Sequence, residues 1–159
     1  MIEHFSKSIF VIGIIMLAAV GCTQEAVQEA VQEPTGPQYI NIPGRSDDLP
    51  YSNAVLVGNT LYLAGSIGID PETGVVPSTI SEEVKIVLDG MKQRLEMVSM
   101  TMDDLVSVQV FCPDLSLYEE FNAIYRTYFT NHFPARAFIG SGILLRGGHF
   151  EIQGIAVKQ

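Results

Sequence analysis

From Gln38 onward the chain alternates apolar and polar positions with few interruptions. Ala54 to Val57 and Leu61 to Ala64 read as two strands joined by the turn Gly58-Asn59. Asp70-Pro71-Glu72-Thr73-Gly74 is a loop with strong turn chemistry. Thr79 and Glu82 then have capping-box spacing. Behind them Val84, Val87, Leu88, Met91, Leu95 and Val98 recur at three and four residues, while Lys85, Asp89, Lys92 and Glu96 face the other way. That spacing predicts an amphipathic helix with one buried stripe.

The period then returns to two. Val106, Val108, Val110 and Cys112 alternate with Ser107, Gln109 and Phe111, which predicts a third strand. Ser116 and Glu119 again have capping-box spacing, and Phe121, Ile124, Tyr125, Tyr128 and Phe129 form the stripe of a second helix. Pro134 stops that helix and opens an extended run through Ile139. Arg146-Gly147-Gly148 reads as a turn, and Phe150 to Val157 as a closing strand. A further short strand is expected around Tyr39 to Ile42. The order β-β-α-β-α-β-β predicts an α+β domain: a single sheet with two helices packed on one face. Its other face then needs cover, and no third layer remains in the sequence. Another subunit is the natural cover.

The first residues follow a different pattern. An apolar run from Ile9 to Val20 is shorter than the roughly 20 residues a membrane-spanning helix requires. It has the length of a signal-peptide core, and Ala18-Ala19-Val20-Gly21-Cys22 resembles a bacterial lipobox. Residues 23 to 37 are polar and acidic, carry the repeat Glu25-Ala26-Val27-Gln28 and Glu29-Ala30-Val31-Gln32, and end in breakers. Such a stretch cannot bury enough surface to fold alone. The expected organisation is a signal peptide over 1–21, a lipidated Cys22 with its tether over 22–37, and a folded domain over 38–159. The chain would then sit on the periplasmic side of a bacterial cell envelope, held to the membrane by its lipid alone. An ordinary signal peptide or a short buried helix, with Cys22 incidental, is the alternative. Only one other cysteine exists, Cys112. With Cys22 acylated it has no partner, so no disulfide is expected.

Composition removes several functions. The net charge is -9 and no run of Lys or Arg interrupts it, which disfavours a nucleic-acid partner. There is no Gly-rich phosphate loop ahead of a Lys and no nucleophile elbow around any Ser. The histidines His4, His132 and His149 lack metal-ligand spacing, and no cofactor motif is present. Two charges stand in unusual places: Arg136 at the head of an apolar strand and Glu151 between Phe150 and Ile152. A charge in a strand core costs several kcal/mol unless it is paired or faces a wet cleft. Either both lie on the solvent face or pair with each other, or they belong to a functional cleft.

Tyr51-Ser52-Asn53-Ala54-Val55, the run from Gly58 to Gly65, Asp70 to Gly74, Phe133-Pro134-Ala135-Arg136 and Phe150 to Val157 together resemble the Rid family (YjgF-like), as do Asn122 and Tyr125 in the second helix. The resemblance spans Ile40 to Val157 in order. It implies a chorismate-mutase-like fold, a homotrimer with clefts between adjacent subunits, and hydrolysis of enamines and imines of 2-amino acids to 2-keto acids and ammonia. It implies no cofactor and no metal. Carried onto this chain, Arg136 grips the substrate carboxylate and Glu151 orients or deprotonates the attacking water. Tyr51 lines the cleft from the neighbouring subunit, and Asn122 contributes to substrate binding. Backbone groups near Gly65, Ser66 and Phe138 hold the imine nitrogen and water. The chain departs from the family pattern at Ser66, where Gln is frequent, at Phe138, where Cys is frequent, and at Gln153, where the family has Glu. It also lacks the usual Ala-Arg-Leu-Pro within Gly140 to Leu145. Two rival readings keep the fold but not the reaction: a trimer that binds a small carboxylate without turnover, and a purely interactive, chaperone-like envelope protein.

Overall fold

The computed structural model describes residues 36–46 and 48–158. The leader, Cys22 and nearly all of the tether lie outside these residues. Six strands and two helices alternate as β1 (Gln38–Ile40), β2 (Ala54–Val57), β3 (Thr60–Ile67), α1 (Ile80–Glu96), β4 (Leu105–Cys112), α2 (Tyr118–Tyr125), β5 (Ala135–Gly140) and β6 (Glu151–Val157). They form one mixed sheet in the order β1-β2-β3-β6-β4-β5. Only β4 and β5 run parallel, and α2 makes the crossover between them.

Local chemistry explains most of these boundaries. The β2–β3 hairpin turns at Gly58 with φ of 57°, a conformation that a Cβ would strain. Thr79 caps α1 by accepting from the Glu82 amide and donating its hydroxyl to the Glu82 carboxylate at 2.9 Å. The cap expected at Ser116 is not formed. Asp114 instead accepts from the Ser116 amide at 2.9 Å and starts a short 3-10 turn, and α2 begins beyond it without a side-chain cap. Strand β4 corrects a second expectation. Val106 is 47% exposed while Leu105 and Val108 are buried, because the pairing of β4 with β6 shifts between Leu105 and Ser107. The inserted residue turns outward and resets the alternation.

Both helices cover one face of the sheet. Leu61, Leu88, Met91, Leu95, Val110 and Ile152 are fully excluded from solvent there, and each such side chain contributes roughly 2 kcal/mol of burial. Phe121 and Phe150 stack at 5.0 Å and join α2 to β6. On the opposite face, Tyr62 and Val57 remain about half exposed, beside a shallow depression of about 250 Å³ floored by Gln109, Gln153 and Ile155.

One buried carboxylate stands out on α1. Glu83 is 0% exposed, and it accepts from the amides of His149 and Phe150 at 2.7 and 3.1 Å and meets His149 Nδ1 at 2.6 Å. It therefore ties α1 to the start of β6. Glu83→Ala strands the buried Phe150 amide and the partly buried His149 amide, each costing up to about 1–3 kcal/mol. The expected result is a loss of about 3 kcal/mol in urea unfolding, with partial rescue by Glu83→Gln.

Candidate active site

Arg136 enters on β5, the edge strand, and points to the helix-covered face. Its register partner on β4 is the buried Val108. The guanidinium lies over the ring of Tyr125, with its central carbon 4.5 Å from the centroid, and donates through Nη2 to Asn122 Oδ1 at 2.7 Å. Nη1 is buried and has no hydrogen-bond partner among the described residues. The Tyr125 hydroxyl is in the same position. Burial pushes the Tyr125 phenol up to about 12, against the pull of the Arg136 charge, so it stays protonated at neutral pH. These groups line a cleft of about 380 Å³ with Tyr118, Phe133 and Pro134. The ring of Phe138 lies on the same side, edge-on to Tyr118 at 5.0 Å.

Glu151, the first residue of β6, lies on the other face. Its neighbours Phe150 and Ile152 are fully buried beneath the helices, and its register partners are Ile67 and Phe111. The pairing of β3 with β6 breaks between Leu63 and Ser66, and the carboxylate lies against Gly65 in that bulge. A Cβ on Gly65 would stand 2.2 Å from Glu151 Oε1, so only glycine admits the carboxylate there. Tyr51, ahead of β2, is half exposed. Its carbonyl accepts from Arg45 Nη2, and the Arg45 guanidinium stacks over its ring at 5.1 Å.

The expected residues therefore fall into two groups. Arg136, Asn122 and Phe138 converge at the β5–α2 cleft; Gly65 and Glu151 meet at the β3 bulge, and Tyr51 packs with Arg45. The Ser66 hydroxyl turns to the helix side and accepts from Arg94 at 2.6 Å. No ion pair joins Arg136 to Glu151 among the described residues. They are two strands apart, and their register positions on β4 are three residues apart, which places the Cα atoms about 14 Å from each other. Since they also face opposite sides of the sheet, one small ligand cannot touch both within one chain.

Arg45, Glu83 and Arg94 were not anticipated. For Glu83 and Arg94 the signal was present: both occupy positions of the α1 stripe, which runs Glu83, Val87, Met91, Arg94, Val98 at three- and four-residue steps.

A family model described as Endoribonuclease L-PSP matches residues 46–158. The chain belongs to that family. It is 37% identical over 110 residues, 69% of this chain and 80% of the relative, to the bovine protein named 2-iminobutanoate/2-iminopropanoate deaminase. Two solved structures place the Rid and YjgF proteins beside it. RidA from the Antarctic bacterium Psychrobacter superposes with a TM-score of 0.70 at 30% identity, over 76% of this chain and 99% of RidA. The YjgF gene product of E. coli does so with a TM-score of 0.66 at 31% identity, over 76% and 94% of the two chains. Within this family the two helices on a mixed six-stranded sheet are the shared architecture, and the residue groups described above sit on it.

Proposed function

We propose that the chain is an imine deaminase, hydrolysing reactive imines of 2-amino acids to 2-keto acids and ammonia. One observation carries the reading: a guanidinium held in an aromatic cleft with a buried, unpartnered Nη1 donor. Such a donor lacks only an acceptor, and a carboxylate takes two parallel N–H bonds from two nitrogens of a guanidinium, a fit that lysine does not reproduce. The name of the bovine relative agrees with a 2-imino acid as the bearer of that carboxylate.

In the proposed reaction Glu151 takes a proton from water as the water oxygen adds to the iminium carbon. Glu151 returns that proton to the nitrogen of the tetrahedral adduct, ammonia leaves, and the hydroxyl proton passes to Glu151 and on to solvent as the C=O bond forms. Iminium carbons are already electrophilic, so placement supplies most of the rate. Because Arg136 and Glu151 cannot meet over one ligand within a chain, the cleft of one subunit is completed by Glu151, Gly65 and Tyr51 of its neighbour in a homotrimer. The open sheet face with Tyr62 is where subunits would join. No cofactor or metal takes part in this scheme. Delivery to the envelope by the leader and acylation of Cys22 belong to the same proposal.

The family description names an endoribonuclease, but a net charge of -9 gives phosphates no basic track here. The test is loss of freshly generated 2-iminobutanoate and of bulkier 2-imino acids, followed with the full chain in detergent. Acceleration over the uncatalysed rate supports the deaminase. No acceleration with any imino acid leaves the carboxylate-binding trimer as the better reading.

A further inference from the structure

The buried stripe of α1 carries one cation. Arg94 is 2% exposed, and among the described residues no carboxylate lies within ion-pair distance of it. Its donors go to neutral oxygens: Nε to Gly90 O at 2.9 Å, Nη1 to Ala64 O at 3.3 Å and Nη2 to Ser66 Oγ at 2.6 Å. Burial draws the guanidinium down to about 10, and the nearby Tyr51 phenol only partly opposes this. An apolar residue would complete the stripe without desolvating a charge. Stability therefore does not account for an arginine here.

The placement of its donors does. Leu63 and Ser66 flank the β3 bulge and Ala64 lies within it; Arg94 holds Ala64 O and Ser66 Oγ with one rigid fork. Gly65 lies between them, and the Glu151 carboxylate lies against Gly65 from the opposite face. The bulge is thus gripped from beneath at the point where Glu151 rests on top.

We propose that Arg94 is a positioning residue for Glu151, holding the Ala64–Ser66 bulge in the shape that seats the Glu151 carboxylate. Arg94 touches neither substrate nor water; it acts through the backbone of β3. This inference rests on the reading of Glu151 as the group that activates water.

The test compares the full chain with Arg94→Met and Arg94→Lys. Methionine keeps the length and the packing but removes charge and fork. The expected result for Arg94→Met is an unfolding midpoint equal to wild type or higher, and a kcat for imine hydrolysis lowered roughly 10- to 100-fold. KM should stay within about twofold, since carboxylate binding at Arg136 is untouched. Lysine keeps the charge but not the fork, so it can hold only one of the two acceptors and should give an intermediate kcat. Amide hydrogen exchange across residues 64–67 should quicken in Arg94→Met and be partly restored in Arg94→Lys. An unchanged kcat in Arg94→Met, or a kcat that falls only in proportion to the unfolded fraction, overturns the inference. If the wild-type chain hydrolyses no imine, the deaminase reading fails first. Hydrogen exchange then decides alone: unchanged exchange across residues 64–67 shows that Arg94 does not hold the bulge.

Discussion

Arg136→Ala should lower kcat/KM for imine hydrolysis by about three orders of magnitude, equivalent to ~4 kcal/mol, which lies in the range for truncating one partner of a buried charge pair. The loss should appear in binding as well: a 2-keto acid product that protects the wild-type protein against heat should not protect the variant. The fold should survive. In the free protein Arg136 is half buried, its Nη1 is unpaired, and it contributes one hydrogen bond and its stacking on Tyr125. Those contacts are worth about 1 kcal/mol each and offset the cost of holding a partly desolvated cation. The unfolding midpoint should therefore move little. Arg136→Lys should recover charge but not the paired donors, and so only part of the affinity. A chaperone-like protein would be indifferent to both substitutions.

Glu151→Gln should separate turnover from binding. The amide keeps the shape that fits against Gly65 but cannot accept a proton from water. Removing a general base costs about 10²- to 10⁴-fold, and the fall should be in kcat. Affinity for a 2-keto acid should stay close to wild type, because the carboxylate is gripped elsewhere. Retained binding with unchanged turnover would mean that Glu151 is structural and that another group activates water. Thermal unfolding adds a control: the carboxylate makes no hydrogen bond or ion pair among the described residues, so its loss should not destabilise the subunit.

Much of this was legible from residue pattern. The α1 stripe, the hairpin turn and the strand alternation follow from periods of 3.6 and 2 acting on clearly apolar residues. Arg136 and Glu151 were visible as charges among apolar neighbours. Their separation to opposite faces was not. The parity of β5 is ambiguous in Ala135-Arg136-Ala137-Phe138-Ile139, where small and large apolar residues stand on both sides. Only the pairing of Arg136 with buried Val108 decides it. The bulge at Val106 was hidden for a related reason, since a valine fits the alternation whether or not the register slips.

Glu83 and Arg94 teach a different lesson. A charge at a stripe position reads as an imperfection of the helix pattern, yet each of these two ties α1 to the sheet. Glu83 collects the amides ahead of β6, and Arg94 collects the Ala64 carbonyl and the Ser66 hydroxyl at the β3 bulge. Gly65 and Glu151 lie between these two anchors. The Ser66 hydroxyl is held by Arg94. Side-chain direction at a bulge does not follow from the alternation of the strand, so this contact was not legible in the pattern.

Subunit mixing tests the central claim most directly. Arg136→Ala and Glu151→Gln chains, each inactive alone, are refolded together in equal amounts and assayed against 2-iminobutanoate. If each site takes Arg136 from one subunit and Glu151 from the next, random assembly leaves about a quarter of the sites with both residues, and about a quarter of wild-type activity should return. If the mixture stays as inactive as its components while forming mixed trimers, the two residues do not complement across an interface, and the two-subunit site is wrong.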